Sequence, residues 1–255
     1  MEAKTKKTPA PGSVVTAKEI AQMIDHSLLK PEMTRQEVID GCMLAKEFGC
    51  ATVCVKPCDV EIAMNVLKGS DVLVTTVIGF PHGHHLTEIK MLESELAIKQ
   101  GCKELDMVLN IGQLLSGEYD LVEEDIHAVC KLAHRHGVIV KVILENHYLT
   151  DAQIIKACEL CERAGADFVK TSTGYAKSGA TLEDLRLMWD AVSDKVAVKA
   201  AGGVRTLDAA LSVRAVGGVR FGATATKPIM EEAYQREKNG TLIIPNSAEE
   251  LTIGY

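Results

Sequence analysis

VIVKVILENHYLTDAQIIKACELCERAGADFVKTST, residues 138–173, holds one full unit of the pattern that decides the fold. It opens on a β-branched run at 138–146, then reaches Thr150-Asp151, a pair suited to a helix start. Apolar residues follow at three- and four-residue spacing, the period of an amphipathic helix. Gly165 closes that stretch where a left-handed helix cap belongs, and a second short run begins at 166–173. Strand, helix and strand therefore follow one another within about forty residues, the span of a βαβ unit.

The same alternation recurs along the chain. Further runs lie at 23–27 (MIDHS), 51–57 (ATVCVKP), 72–80 (VLVTTVIGF), 104–110 (ELDMVLN), 195–202 (KVAVKAAG) and 218–224 (GVRFGAT), which makes eight. Helical segments such as TRQEVIDGCMLAKEFG separate them, several ending at a glycine (Gly49, Gly101, Gly137), and Thr181 to Asp184 reads as another helix start. Strands alternating with helices require a parallel sheet, because each crossover returns the chain to the same end. Eight such units in 255 residues match the closed (β/α)8 TIM barrel. An open doubly wound sheet would usually carry GxGxxG after its first strand, and none is present. The expectation is one α/β barrel domain over residues 17–240, a disordered N-terminal tail at 1–16 and a C-terminal tail at 241–255.

The formal net charge of −7 does not favour nucleic acid or anionic membrane as a partner. No run approaches the ~18 apolar residues of a spanning helix. The opening MEAKTKKTPAPGS lacks the apolar stretch of a secretion signal. Of the eight cysteines, Cys158 and Cys161 form a CxxC pair, but it falls inside a helical pattern rather than at a strand-to-helix turn. Reduced thiols and a cytoplasmic location are the plain reading.

Barrel enzymes gather their chemistry at the C-terminal ends of the strands. Asp25 ends the first run, Asp106 lies in the fourth, Lys141 and Glu145 mark the fifth, and Lys170 and Lys199 fall towards the ends of the sixth and seventh. Side-chain alternation gives Lys170 the parity of Phe168, and Lys199 that of Ala197, so both amines enter the barrel mouth from neighbouring strands. A solvated lysine has a pKa near 10.4, so only about one in a few thousand is neutral at pH 7. Burial and a second cation both disfavour the charged form, and a drop of ~3 units corresponds to about 4 kcal/mol. A neutral lysine can attack a carbonyl and form a Schiff base, whose iminium lets a neighbouring C–C bond break or form. Asp106 is the carboxylate best placed for the accompanying proton transfers. Lys141, mid-strand and deeper, is the rival nucleophile and is better read as part of a charge network.

After the seventh run comes AAGGVRT (200–206), and the eighth is GVRFGAT. Gly202-Gly203 lets backbone N–H groups approach a ligand ahead of a helix start, the usual phosphate site of such barrels. Thr173-Gly174, after Lys170, offers a further wall. A small phosphorylated carbonyl compound is the expected substrate.

The segments MIDHSLLKP, ATVCVKP, GFPHG, ELDMVLNIG, KVILE, AGADFVKTSTG, VKAAGGVRT and RFGAT occur in the order found in the deoxyribose-phosphate aldolases, which this sequence resembles over most of residues 20–225. The resemblance implies reversible cleavage of 2-deoxy-D-ribose 5-phosphate to acetaldehyde and D-glyceraldehyde 3-phosphate. It implies Lys170 as Schiff-base lysine, Lys199 as the second lysine and Asp106 as proton relay. Asp25 matches the acid near the substrate hydroxyls, and Cys54 the pocket cysteine. Gly202, Gly203, Arg205 and Gly222 match the phosphate loops. No metal or organic cofactor is implied, and a homodimer or homotetramer is. Thr224-Ala225 stand where the family usually has serine, Tyr175 stands where some members carry lysine, and Asn146-His147 replace a threonine-led turn. The first two changes weaken phosphate binding or widen tolerance of unphosphorylated aldehydes. Tyr255 could reach back into the site, as a C-terminal tyrosine does in some members.

Two competing readings are a sugar-phosphate isomerase on the same barrel, which would use a Glu–His pair, and a non-catalytic sugar-phosphate-binding barrel. GFPHGHH (79–85) could suggest zinc, but His82, His84 and His85 crowd one loop without a fourth ligand in sight.

Overall fold

A computed structural model describes residues 8–246. Its strands are β1 (Ile24–Leu28), β2 (Thr52–Val55), β3 (Leu73–Ile78), β4 (Glu104–Val108), β5 (Ile139–Ile143), β6 (Phe168–Lys170), β7 (Ala197–Ala201) and β8 (Gly218–Ala223). Each falls inside one of the eight runs or overlaps it. All neighbours pair in parallel, and β8 closes on β1 with Asp25 opposite Gly222, so the fold is a single-domain (β/α)8 barrel. The outer ring holds α1 (Ala17–Ala21), α2 (Arg35–Phe48), α3 (Val60–Val66), α4 (Thr87–Gln100), α5 (Ile111–Leu115), α6 (Tyr119–Arg135), α7 (Asp151–Ala164), α8 (Leu182–Ala191), α9 (Leu207–Ala215) and α10 (Thr226–Lys238).

The helix signals act locally as their chemistry requires. Thr34 with Glu37, and Thr150 with Gln153, form reciprocal capping boxes that satisfy orphan N–H groups, each worth about 1 kcal/mol. Thr181 caps α8 through the Asp184 amide. Gly49, Gly101 and Gly165 end their helices in the left-handed region that a side chain would strain. Cys158 and Cys161 are buried free thiols on α7, without the strand-to-helix turn of a redox motif.

α4 is inverted. It buries Lys90, Ser94 and Ala97 and exposes Ile89, Leu92 and Leu96. Lys90 reaches inward to donate to Asp125 on α6 (2.6 Å) and to the Val108 carbonyl at the end of β4 (2.9 Å).

The tail boundaries drawn from the sequence fall within a paired unit. Val14 bridges Ile243 antiparallel, Val15 donates to the Leu242 carbonyl (3.0 Å), and Leu242 and Ile244 are buried. Apolar side chains at 14–15 and 242–244 give these segments something to bury, which Pro/Gly content alone does not reveal. Residues 1–7 and 247–255 lie outside the described residues, and with them Tyr255. Among the described residues no helix is long and apolar enough to cross a membrane.

Candidate active site

Parity and register bring the lysines together. Lys170 sits opposite Lys199 across β6 and β7, and Asp106 opposite Lys141 across β4 and β5. Val169 and Val198 are buried in the apolar layer under the helices, while Phe168 turns inward so that its ring lies 5.9 Å from Lys141 Nζ. Lys170 and Lys199 therefore enter the barrel, as the alternation requires.

Asp106 is the hub. Its Oδ2 accepts from Lys170 Nζ and from Lys199 Nζ, both at 2.7 Å, and its Oδ1 accepts from Lys141 Nζ at 2.9 Å. Asp25 ion-pairs with Lys199 and accepts from Arg220 Nε at 2.9 Å. Glu104 accepts from Lys141 and from Arg220. The lysines and carboxylates are buried and Arg220 is half-buried, and none is left without an opposite partner, the condition under which buried charge is tolerated.

The surroundings separate the three lysines. Burial pushes the Lys170 ammonium down, its single carboxylate partner Asp106 pulls it back, and Lys199 repels it; the net lies below the ordinary lysine value. Burial also acts on Lys199, but Asp106 and Asp25 together hold it above that value. Lys141, facing Asp106, Asp25 and Glu104, is held higher despite its own burial. Asp106 stays ionised against its burial because three ammonium groups surround it. The number of carboxylates within reach thus sets which amine gives up its proton.

A cavity of about 550 Å³ opens over this cluster. Lys170, Lys199, Asp25, Cys54, Thr173, Gly174, Gly202, Gly203, Arg205, Gly222 and Thr224 all line it. Asp106 and Lys141 lie beneath them, both fully buried and outside the lining. Gly202 (φ 80°) and Gly203 (φ 92°) adopt left-handed backbone, and a side chain on Gly179 would strike the Gly202 backbone at 2.7 Å. Glycine there lets two loops pack ahead of α9, whose N-terminus Thr206 caps. Burial pushes the Cys54 thiol up to about 11, so this pocket wall is a neutral thiol.

Other residues were not found from the sequence. Glu104 and Arg220 complete the ionic cluster; their signal was inward parity, Glu104 with Asp106 and Arg220 with Gly222. Ser27, Leu29 and Glu32, from the end of β1 and the loop after it, line the cavity, as does Tyr175, which the sequence singles out as a change of residue. Tyr175 donates from its hydroxyl to the Leu29 carbonyl (2.9 Å) and sets its ring edge-on to Phe80 at 5.6 Å. Asn146 and His147 turn outward from the mouth: Asn146 Nδ2 donates to Asp184 at 3.2 Å, and His147 Nδ1 lies 2.8 Å from Ser178 Oγ. No histidine is among the cavity's described lining residues, so the Glu–His pair of an isomerase does not form there. His82 and His84 stack at 5.5 Å, with His85 edge-on to His84. Among the described residues no three His, Cys, Asp or Glu side chains converge as a metal-ion ligand set.

Comparison with known proteins gives a consistent picture. The model of the DeoC/LacD family aldolases matches residues 19–232. The deoxyribose-phosphate aldolase of Caldanaerobacter subterraneus subsp. tengcongensis is 50% identical over 214 residues, 84% of this chain and 93% of that protein. That of Thermococcus gammatolerans is 48% identical over 221 residues, 86% of this chain and 98% of its own. Among solved structures, the aldolase QR15 superposes with a TM-score of 0.82 at 37% identity, covering 86% of this chain and 98% of its own. A tetrameric deoxyribose phosphate aldolase from Aeropyrum pernix superposes with a TM-score of 0.79 at 28% identity, covering 85% and 92%.

Proposed function

Because this chain belongs to the DeoC/LacD family of aldolases, we propose that Lys170 is the nucleophile through which it acts. The chain is a deoxyribose-phosphate aldolase: it cleaves 2-deoxy-D-ribose 5-phosphate reversibly to acetaldehyde and D-glyceraldehyde 3-phosphate. Neutral Lys170 attacks C1 of the open-chain sugar, and loss of water leaves an iminium. The C3 hydroxyl gives up its proton and the C2–C3 bond breaks. Its electron pair moves onto C2 and forms the enamine, while C3 leaves as the aldehyde carbon of D-glyceraldehyde 3-phosphate. Protonation at C2 and hydrolysis of the iminium then release acetaldehyde and restore Lys170.

The ionic cluster divides the proton work. Lys199 holds its proton in the resting site and is the general acid, and ionised Asp106, 2.7 Å from both amines, relays protons between them. Gly202, Gly203, Arg205, Gly222 and Thr224 receive the phosphate, with Asp25 and Cys54 nearer the reacting carbons. The observation that carries this reading is that Lys170, alone among the three clustered lysines, combines a place on the cavity wall with a depressed proton affinity. A homo-oligomer is the expected assembly, supported by the tetrameric Aeropyrum pernix relative and by the exposed Ile89, Leu92 and Leu96 of α4.

Borohydride reduction with acetaldehyde, followed by peptide mapping, tests the assignment. The label is expected on Lys170, and Lys170→Ala should abolish both trapping and cleavage while the barrel still folds. A label on Lys141 or Lys199 would overturn the assignment of roles. No label on the wild-type chain would overturn the Schiff base itself.

A further inference from the structure

Glu145 is buried at the end of β5, and the chemistry above does not use it. Its backbone has φ 58°, and among the described residues it is the one non-glycine residue with positive φ. A glutamate gains nothing locally from that conformation, so the surrounding structure must impose it. Leu144 donates to the Lys170 carbonyl (2.9 Å) and Asn146 to the Thr171 carbonyl (3.0 Å), which clamps the strained residue against the end of β6.

The carboxylate points at the next loop. It accepts from the Thr173 amide at 3.2 and 3.3 Å, and from the Thr173 hydroxyl in a short bond. Thr173 Oγ1 accepts in turn from the Tyr175 amide at 3.0 Å. The hydroxyl's one proton and its acceptor side are both committed, so its orientation is fixed. Tyr175 then donates across the mouth to the Leu29 carbonyl, after β1, at 2.9 Å. Thr173, Gly174, Tyr175 and Leu29 all line the cavity. Residues 173–175 are therefore a strap tied at one end by Glu145 and at the other by the loop after β1.

We propose that Glu145 is a positioning residue for the aldol cleavage: by accepting from Thr173 it fixes the 173–175 strap that frames the substrate beyond Lys170. The proposal rests on the Schiff-base reading above. Acetaldehyde needs only the lysine–aspartate cluster, whereas the five-carbon sugar phosphate must also fit under the strap. Loss of the tie should thus spare imine formation with the small aldehyde and impair cleavage of the sugar.

Three variants of the full chain test this, with thermal melting as the check on folding. Glu145→Ala is expected to lower kcat/KM for cleavage about 10-fold or more, while acetaldehyde trapping at Lys170 stays within about twofold of wild type. Glu145→Gln keeps a carbonyl oxygen that can accept from the Thr173 amide and hydroxyl, so it should recover most of the cleavage. Thr173→Val removes the hydroxyl with little change in volume. It should reproduce the selective loss, and it decides the matter if Glu145→Ala does not fold. Wild-type cleavage in both Glu145→Ala and Thr173→Val, a parallel loss of trapping and cleavage, or a Gln variant as poor as Ala would each overturn the proposal. Absence of trapping in the wild type would instead remove the Schiff-base reading.

Discussion

Replacing Lys199 with methionine removes the cation beside the nucleophile and keeps most of the side-chain volume. Both amines lie 2.7 Å from the same oxygen, Asp106 Oδ2, so they are no farther apart than twice that distance. Two unit charges about 5 Å apart repel by about 3 kcal/mol at an effective dielectric of ~20, the value that suits ionisable groups in proteins. Removing that repulsion favours the charged form of Lys170, and Asp106 and Asp25 are then free to favour it further. An energy of about 3 kcal/mol corresponds to a factor of roughly 100 in the neutral fraction. The assay is the rate of borohydride trapping with acetaldehyde as a function of pH. Lys199→Met should trap about 100-fold more slowly near pH 7 and recover as the pH is raised, because only the protonation of Lys170 has changed. Turnover should not recover in full, since the general acid is also gone. Trapping at the wild-type rate at neutral pH, or a deficit that alkali does not relieve, would refute this account of the cluster.

Two further outcomes follow from burial. His26, with Nδ1 2.8 Å from Thr226 Oγ1, has its pKa lowered by burial to about 4. The unfolded chain then binds the extra proton first, so stability should fall as pH drops from about 6.5 towards 4, by up to about 3 kcal/mol; urea denaturation should show this slope flattened in His26→Gln. Seven of the eight cysteines are buried and Cys58 is exposed, so a thiol reagent should modify one cysteine rapidly in the native protein, and Cys58→Ser should remove that phase. Rapid modification of Cys54, whose pKa burial pushes up to about 11, would contradict its environment.

Much of the barrel was legible because its signals are local. Each β-branched run needs only its own residues to declare a strand, and Gly49, Gly101 and Gly165 end helices by backbone freedom alone. Lys170, Lys199 and Asp106 could be brought together because parity and strand order place them on one face at one end. Glu104 and Arg220 escaped notice because each lies in a short run where a charge reads equally well as a strand edge. Their meaning depends on closure of β8 onto β1, a contact between opposite ends of the chain. Tyr175 was noticed as a change of residue, but its bond to Leu29 spans two loops that no sequence period connects. The pairing of residues 12–15 with 242–244 is long-range in the same sense.

The ionic cluster has a consequence for the electron flow it serves. Asp25, Glu104 and Asp106 set three negative charges against the four potential positive charges of Lys141, Lys170, Lys199 and Arg220. With Lys170 uncharged the barrel interior is electroneutral at three against three, the cheapest state for ions withdrawn from water. Conversion of that nitrogen to an iminium places one unmatched positive charge in a medium that screens it poorly. On the proposed mechanism the resting interior is electrically quiet, and the covalent intermediate would be polarised at the atom towards which the breaking bond must send its electrons.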